Sequence, residues 1–420
     1  MSGQDEKTIL ASRRGFLASA AGLVAAAGSG LTTETAQAAT PSGQVEPFFG
    51  AHQGGINTPQ QTNSYFAALD LYTAKREDVV ALLKAWTEAA ARMTAGLPAA
   101  PVSDDLSVPA IDSGEALSSS AARLTITFGF GPGLFSKDGV DRYGLAARRP
   151  EALVDLPKFP GDQLVDEHTG GDLSIQACAD DPQVAFHAVR QLIRLADGVA
   201  QIRWTQAGFA AGPANKGTGR NLMGFKDGTM NPKTPAEFDR FIWVGAEGTD
   251  WMRGGSYLVA RRIRIALEHW DRMNVAFQEQ VVGRQKYSGA PLGGHHEADP
   301  LNLDGTDKDG NLIIPDTAHA RLSAPAMNDG VQILRRAYSY NDGVNFTAER
   351  WPPWRQGNEY DAGLFFMGYQ RDPRTGFIAI HDKLSRVDAM NQFITHVGGG
   401  LFACPGGAAK GEFIGQRLFA

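Results

Sequence analysis

The sequence predicts an α+β protein laid out as two domains of similar plan. Two observations carry this. In both halves a strand pattern runs directly into a helix pattern, with few of the unbroken apolar runs that mark a parallel sheet. The chain also has 420 residues, enough for two domains of about 100–200 residues each. Hydrophobic residues make up 43% and charged residues 20%, the balance of an ordinary globular protein.

The elements follow in order. Residues 39–61 are rich in Pro, Gly and Gln and read as an extended leading segment. Thr62–Tyr72 reads as a first strand. Arg76–Met93 carries apolar residues at helical spacing behind an acidic first turn. A loop rich in Pro, Ser and Asp spans about 97–120. Ala122–Phe130 alternates and is a strand. Pro182–Gly198 is an amphipathic helix with proline in its first turn and glycine at its end, and Val199–Phe209 is the next strand. The second half repeats the rhythm. Ser256–Leu267 is a long strand and Glu268–Gln278 a short helix. Val331–Tyr340, Gly363–Tyr369 and Leu401–Cys404 read as strands, and Leu384–Thr395 as a helix stopped by Gly398-Gly399-Gly400.

The N-terminus reads as an address. Ser12-Arg13-Arg14-Gly15-Phe16-Leu17 starts a twin-arginine pattern, a weakly apolar run continues to about Leu31, and Ala36-Gln37-Ala38 offers a small-x-small cleavage site. The run is too short and glycine-rich for a membrane span of about 20 apolar residues. Residues 1–38 are therefore expected to be a signal peptide that delivers a folded chain to the periplasm. A net charge of −6 offers nothing to a nucleic-acid backbone. Cys178 and Cys404 form no CxxC or CxxCH motif, which disfavours a zinc ribbon and covalent haem. They read as two buried thiols, with a single bridge as the alternative.

One stretch stands out for chemistry. Gly224-Phe225-Lys226-Asp227-Gly228-Thr229 sets a lone acid between glycines, which allow close backbone approach to a flat ligand. A surface turn is the competing reading, since Asp-Gly is a common turn pair. Of the nine histidines, His295-His296 reads as a solvated pair, while His269, His381 and His396 lie at expected element ends. His319 precedes Arg321-Leu322, and the chain then returns to a strand bearing Arg335. On spacing alone it is either a structural histidine or a metal ligand.

Together, Gly224–Thr229, His319-Ala320-Arg321-Leu322 and Leu334-Arg335-Arg336-Ala337-Tyr338-Ser339-Tyr340 resemble the dye-decolourising peroxidase family. Gly50-Ala51-His52-Gln53, Thr58-Pro59-Gln60-Gln61, Gly283-Arg284 and Gly289-Ala290-Pro291-Leu292-Gly293 agree. With the twin-arginine pattern they resemble its exported deferrochelatase/peroxidase branch. The resemblance spans nearly the whole mature chain. It implies two ferredoxin-like domains with antiparallel sheets, 39–215 and 216–420, and one non-covalent haem b held mainly by the second.

Carried onto this chain, the resemblance makes His319 the proximal iron ligand and sets Asp227 and Arg335 on the distal face. The backbone of Gly228, Thr229 and Met230 would lie against the haem, as would Ala324, Pro325 and Ala326. Related chains often carry Asn-Pro-Arg in that last loop, so here no arginine stands there to meet a propionate. Asp388 is the candidate carboxylate for orienting His319, with a solvated helix position as the alternative. Splitting peroxide needs a group that shuttles one proton and a positive donor for the departing oxygen, which suits Asp227 and Arg335. An aspartate working as its anion points to activity best in acid. Tyr338, Tyr340, Trp351, Trp354 and Tyr360 are candidates for relaying oxidation to bulky donors. The expected partners are hydrogen peroxide, small aromatic donors or haem, an iron-uptake permease system and a second copy in a homodimer. The functions in play are peroxidase, iron release from intact haem, and a non-catalytic haem carrier.

Overall fold

Antiparallel strand pairing organises the chain. The computed structural model describes residues 44–102, 105–211, 218–348 and 356–420. Its strands there are β1 (Asn63–Leu71), β2 (Thr125–Phe130), β3 (Leu173–Ala179), β4 (Ala200–Phe209), β5 (Ser256–Ile265), β6 (Leu334–Arg335), β7 (Tyr338–Ala348), β8 (Gln356–Gln370) and β9 (Ile394–Cys404). They form one sheet in the order β5-β9-β2-β3-β1-β4-β7-β8-β6, and β5 also pairs with β8, so the sheet closes on itself. Two seams are thin. β2 meets β9 only at Phe130–Ala403, and β4 meets β7 only at Phe209–Ser339. The ring is thus two four-strand groups, β4-β1-β3-β2 and β9-β5-β8-β7. In each, the strands in chain order stand fourth, first, third, second. The expected antiparallel α+β architecture holds, and from Ser42 to Ala420 the chain is one compact unit. The twin-arginine pattern and the 215/216 boundary lie outside the described residues.

Local chemistry explains the elements that were legible. The helix Arg76–Thr94 has Glu77 and Asp78 in its first turn and Arg92 in its last, each favourable to the helix dipole. Asp181 caps the helix Pro182–Leu195, accepting the Gln183 and Val184 N–H groups at 2.7 and 3.3 Å. Alternation along β1 splits its side chains. Ala67 and Leu69 join the core beneath these helices, whereas Phe66 joins a second core of strand residues that includes Trp204, Phe365 and Phe402. Cys178 and Cys404 are free and buried, as the thiol reading expected. No helix among the described residues is long and apolar enough to cross a membrane.

Three expectations give way. β3 has no counterpart among the expected elements, because all seven of its residues are buried and leave no polar alternation to see. The segment expected to be the short helix 268–278 is two helices, Leu267–Trp270 and Val275–Val282. The last helix is Ala379–Val387, not 384–395, and Gly398–Gly400 lie inside β9 rather than ending a helix. Those glycines answer to crowding. A Cβ on Gly399 would stand 2.0 Å from the Ala260 carbonyl oxygen on β5.

Candidate active site

The outer face of β5, β8 and β9 floors a cavity. Alternation puts Ile263 and Ile265 of β5, Leu364 and Phe366 of β8, and Ile394 of β9 on its wall. The helix Ala379–Val387 covers it with Ile380, His381 and Leu384. The same cavity is lined by Asp227, Thr229 and Met230, by His319, Ala324 and Pro325, and by Arg335 and Asp388. Gly228 and Ala326 adjoin this wall without lining it. Sequence reasoning therefore brought together residues from four separate segments.

His319 begins the short helix His319–Leu322. Its Nδ1 bonds Asp388 Oδ2 at 2.6 Å, and the Asp388 side chain is only 2% exposed. A carboxylate accepts, so Nδ1 carries the proton, which in the neutral ring leaves the lone pair on Nε2. Among the described residues Nε2 has no hydrogen-bond partner. Asp388 is the residue just past Val387, not mid-helix, and its Oδ1 accepts the Met390 N–H at 2.8 Å. Both of its oxygens are thereby fixed.

Asp227 sits in a tight loop. Its N–H bonds Gly219 O at 3.0 Å, and Gly228 turns the chain at φ +105°, a region that favours glycine. Asp227 Oδ1 lies 3.0 Å from Arg335 Nη1, with the side chains 16% and 29% exposed. A pair this open contributes on the order of 1 kcal/mol at most, so its value is orientation. Arg335 is held on β6, which pairs with β8 through Gly368.

Three supports were not foreseen. The Asn231 side chain donates to Arg335 O at 2.7 Å and accepts the Arg335 N–H at 3.1 Å, tying the loop to β6. Glu297 accepts from Lys226 Nζ, and from Thr229 Oγ1 at 3.1 Å, gripping the loop on both sides of Asp227. Burial opposes ionisation of Glu297, but bonds from Lys226, Thr218 and Thr229 outweigh it and hold the carboxyl at about 2. Arg284 is buried, with Nη1 donating to Gly289 O and Glu297 O at 2.8 and 3.0 Å, while Nη2 has no protein partner. The only trace of these in the sequence is that Asn231 closes the glycine-rich run and Arg284 belongs to Gly283-Arg284.

Other candidates separate. His381 and His396 are buried, not surface groups at element ends. Burial, then the charge of Arg261, pushes His381 down to about 3, and burial also takes His396 well below the usual imidazole value. Tyr338 and Tyr340 are buried in the second core, Tyr360 is exposed on β8, and Trp351 and Trp354 lie outside the described residues. His295 and His296 are exposed, as expected.

Comparison with known proteins decides the family. Residues 53–210 match the family model "Dyp-type peroxidase, N-terminal", and residues 218–409 match "Dyp-type peroxidase, C-terminal". The chain belongs to the Dyp-type peroxidase family. It is an enzyme of the peroxidase class, which argues against a bare carrier. It is 38% identical to a dye-decolorizing peroxidase of Thermobifida fusca, with 97% of each chain covered. It is 34% identical to a deferrochelatase of Escherichia coli K12, covering 89% of this chain and 87% of that one. The fold is similar to that of an oxyferrous complex of DtpA from Streptomyces lividans, with a TM-score of 0.81 and 42% identity over 90% of this chain and 98% of that one.

Proposed function

We propose that the protein is a haem b peroxidase that uses hydrogen peroxide to oxidise small aromatic donors. The observation carrying this is the His319 imidazole, pinned at Nδ1 by a buried carboxylate and free at Nε2, in one apolar cavity with the Asp227–Arg335 pair. Those residues suit a haem. The group needs an axial donor, apolar walls for its ring and partners for its carboxylates. His319 is the donor, the strand face is apolar, and Arg284 Nη2 is a buried guanidinium nitrogen without a protein acceptor. Arg284 would offer a haem carboxylate the guanidinium that the Ala324-Pro325-Ala326 loop lacks.

When bound, a haem supplies an iron that takes peroxide and stores its oxidising equivalents. The chain's own groups do the rest. Asp388 holds the proton on His319 Nδ1 and so keeps Nε2 a strong donor. Asp227, as its anion, takes the proton from one peroxide oxygen and returns it to the other. Arg335 donates to the oxygen that leaves as water. Asn231 and Glu297 keep those two side chains in register.

A second reading, release of iron from haem with the porphyrin intact, is favoured by the Escherichia coli relative named for that activity. We take the two four-strand groups as ferredoxin-like domains, since each has the strand order of that fold. The twin-arginine pattern is taken as an export address to the periplasm, with a homodimer and an iron-uptake permease as partners. The test is an absorption spectrum of the purified protein before and after one equivalent of peroxide, repeated for His319→Ala. A Soret band that changes with peroxide, and is lost in the variant, is expected. Protein that never takes up haem, or a variant with undiminished haem content and turnover, would overturn the proposal.

A further inference from the structure

Three side chains from distant segments converge, two of them, His381 and His396, at the wall of the same cavity. Asp162 comes from the loop before β3, His381 from the helix Ala379–Val387 and His396 from the start of β9. One donor atom from each lies within 4.8 Å of the others, and among the described residues this is the one His/Cys/Asp/Glu group so arranged. Asp162 Oδ2 is used twice, by Arg261 Nη2 at 3.0 Å and the Phe159 N–H at 3.2 Å. Asp162 Oδ1, His381 Nε2 and His396 Nδ1 are buried and have no protein hydrogen-bond partner. The Asp162 side chain is 1% exposed and the two histidines 6% and 8%.

Packing alone does not account for this. His381 stacks on Phe377 at 5.0 Å and meets Phe159 edge-on at 4.5 Å, as a phenyl ring would without burying unpaired nitrogens. We infer that Asp162, His381 and His396 form a second metal site, separate from His319, for a first-row divalent ion such as Fe²⁺, Co²⁺ or Zn²⁺. Two imidazoles and one carboxylate are a donor set these ions accept. Both rings are in the neutral, ligating form. Bonds of about 2.1 Å set three donors of one ion about 3.4–3.6 Å apart, so the side chains must draw in by up to about 1 Å on binding. Arg261 fixes the carboxylate through the oxygen the ion does not use, as partners of ligating carboxylates do. Its charge is offset by Asp162, so the ion meets a cluster with no net charge.

The test titrates haem-loaded protein with Co²⁺ and then Zn²⁺, reading cobalt absorption, metal per chain after desalting, and the Soret band. One ion per chain is expected. It should be lost in Asp162→Asn with the Soret band retained, and kept when the exposed pair is changed by His295→Gln and His296→Gln. X-ray absorption of the zinc-loaded parent, which needs no variant, should count two imidazole nitrogens and a carboxylate oxygen. No binding, or binding lost only with His295 and His296, overturns the inference. So does cobalt binding left unchanged by Asp162→Asn. A chain that takes up no haem yet binds one Co²⁺ here would sink the peroxidase reading and leave this one standing.

Discussion

Replacing Asp388 by asparagine isolates the contact on which the site turns. The substitution keeps shape and keeps Oδ1 for the Met390 N–H, so the turn Ala389–Gln392 stays capped. What changes is the partner of His319. Where Oδ2 accepted the Nδ1 proton at 2.6 Å, an amide either turns its NH₂ toward that proton or surrenders the Met390 bond. A hydrogen bond to a buried charge contributes about 1.5–3 kcal/mol. Haem affinity should therefore fall roughly 10- to 100-fold, the range seen when a carboxylate behind a metal-bound histidine is lost. Removing a buried negative charge also disfavours the ferric state. If the whole effect fell on one oxidation state, the reduction potential would rise by up to about 130 mV. Haem titration of the apoprotein by Soret absorbance reads the first quantity and spectroelectrochemistry the second. Unchanged affinity together with an unchanged potential would refute the assignment of Asp388 as the carboxylate that orients His319.

Arg335→Leu removes the guanidinium beside Asp227 and should slow the reaction with peroxide by about 10²–10³ with haem content retained. Stopped-flow at the Soret band measures this, and an unaltered rate would end Arg335's role. Asn231→Ala strips both bonds from the Arg335 backbone and should cost about 1–3 kcal/mol in unfolding free energy while slowing the same step. Denaturant melts paired with stopped-flow test it, and full stability with full activity counts against the tie. Glu297 is held at about 2, below the ordinary glutamate value of 4.5, so its ionised form stabilises the fold above about pH 4.5 and that contribution fades as pH falls toward 2. Glu297→Gln should thus lower the melting temperature at neutral pH and draw level with the parent near pH 2. Calorimetry showing the same deficit at both ends would contradict this.

Which elements were readable follows from how many of their faces meet water. The helix Pro182–Leu195 shows a polar face, a proline at its start and an aspartate cap, and the sequence reading found it. β3 shows no face to water and was invisible. Glycine misled at the C-terminus because its two uses look alike in a sequence. A glycine run ends a helix by adopting left-handed angles, or lets backbones touch by lacking a Cβ. Here Gly398 is crowded by His168, and Gly399 is crowded by Ala260 while also taking a φ of +142° inside the strand. Nothing local distinguishes the two uses, since the crowding atoms lie more than a hundred residues away.

The site divides along the same line. Asp227, His319 and Arg335 were picked out because the short motifs that carry them resemble a known family, and the fold brings them to one cavity. Their supports were not, because a support is defined by what it reaches. Asn231 matters only because the Arg335 backbone, 104 positions along the chain, comes within 2.7 Å of its amide. Glu297 matters because Lys226 and Thr229 fold back to it. Many residue types could stand at such positions until the fold decides which backbone group or cation arrives. This is also why the supports are the sharper test of mechanism. Changing Arg335 removes the charge and its placement together. Changing Asn231 leaves Asp227 and Arg335 intact and disturbs only where they point, so a slower peroxide step in that variant would assign the rate to orientation rather than to charge alone.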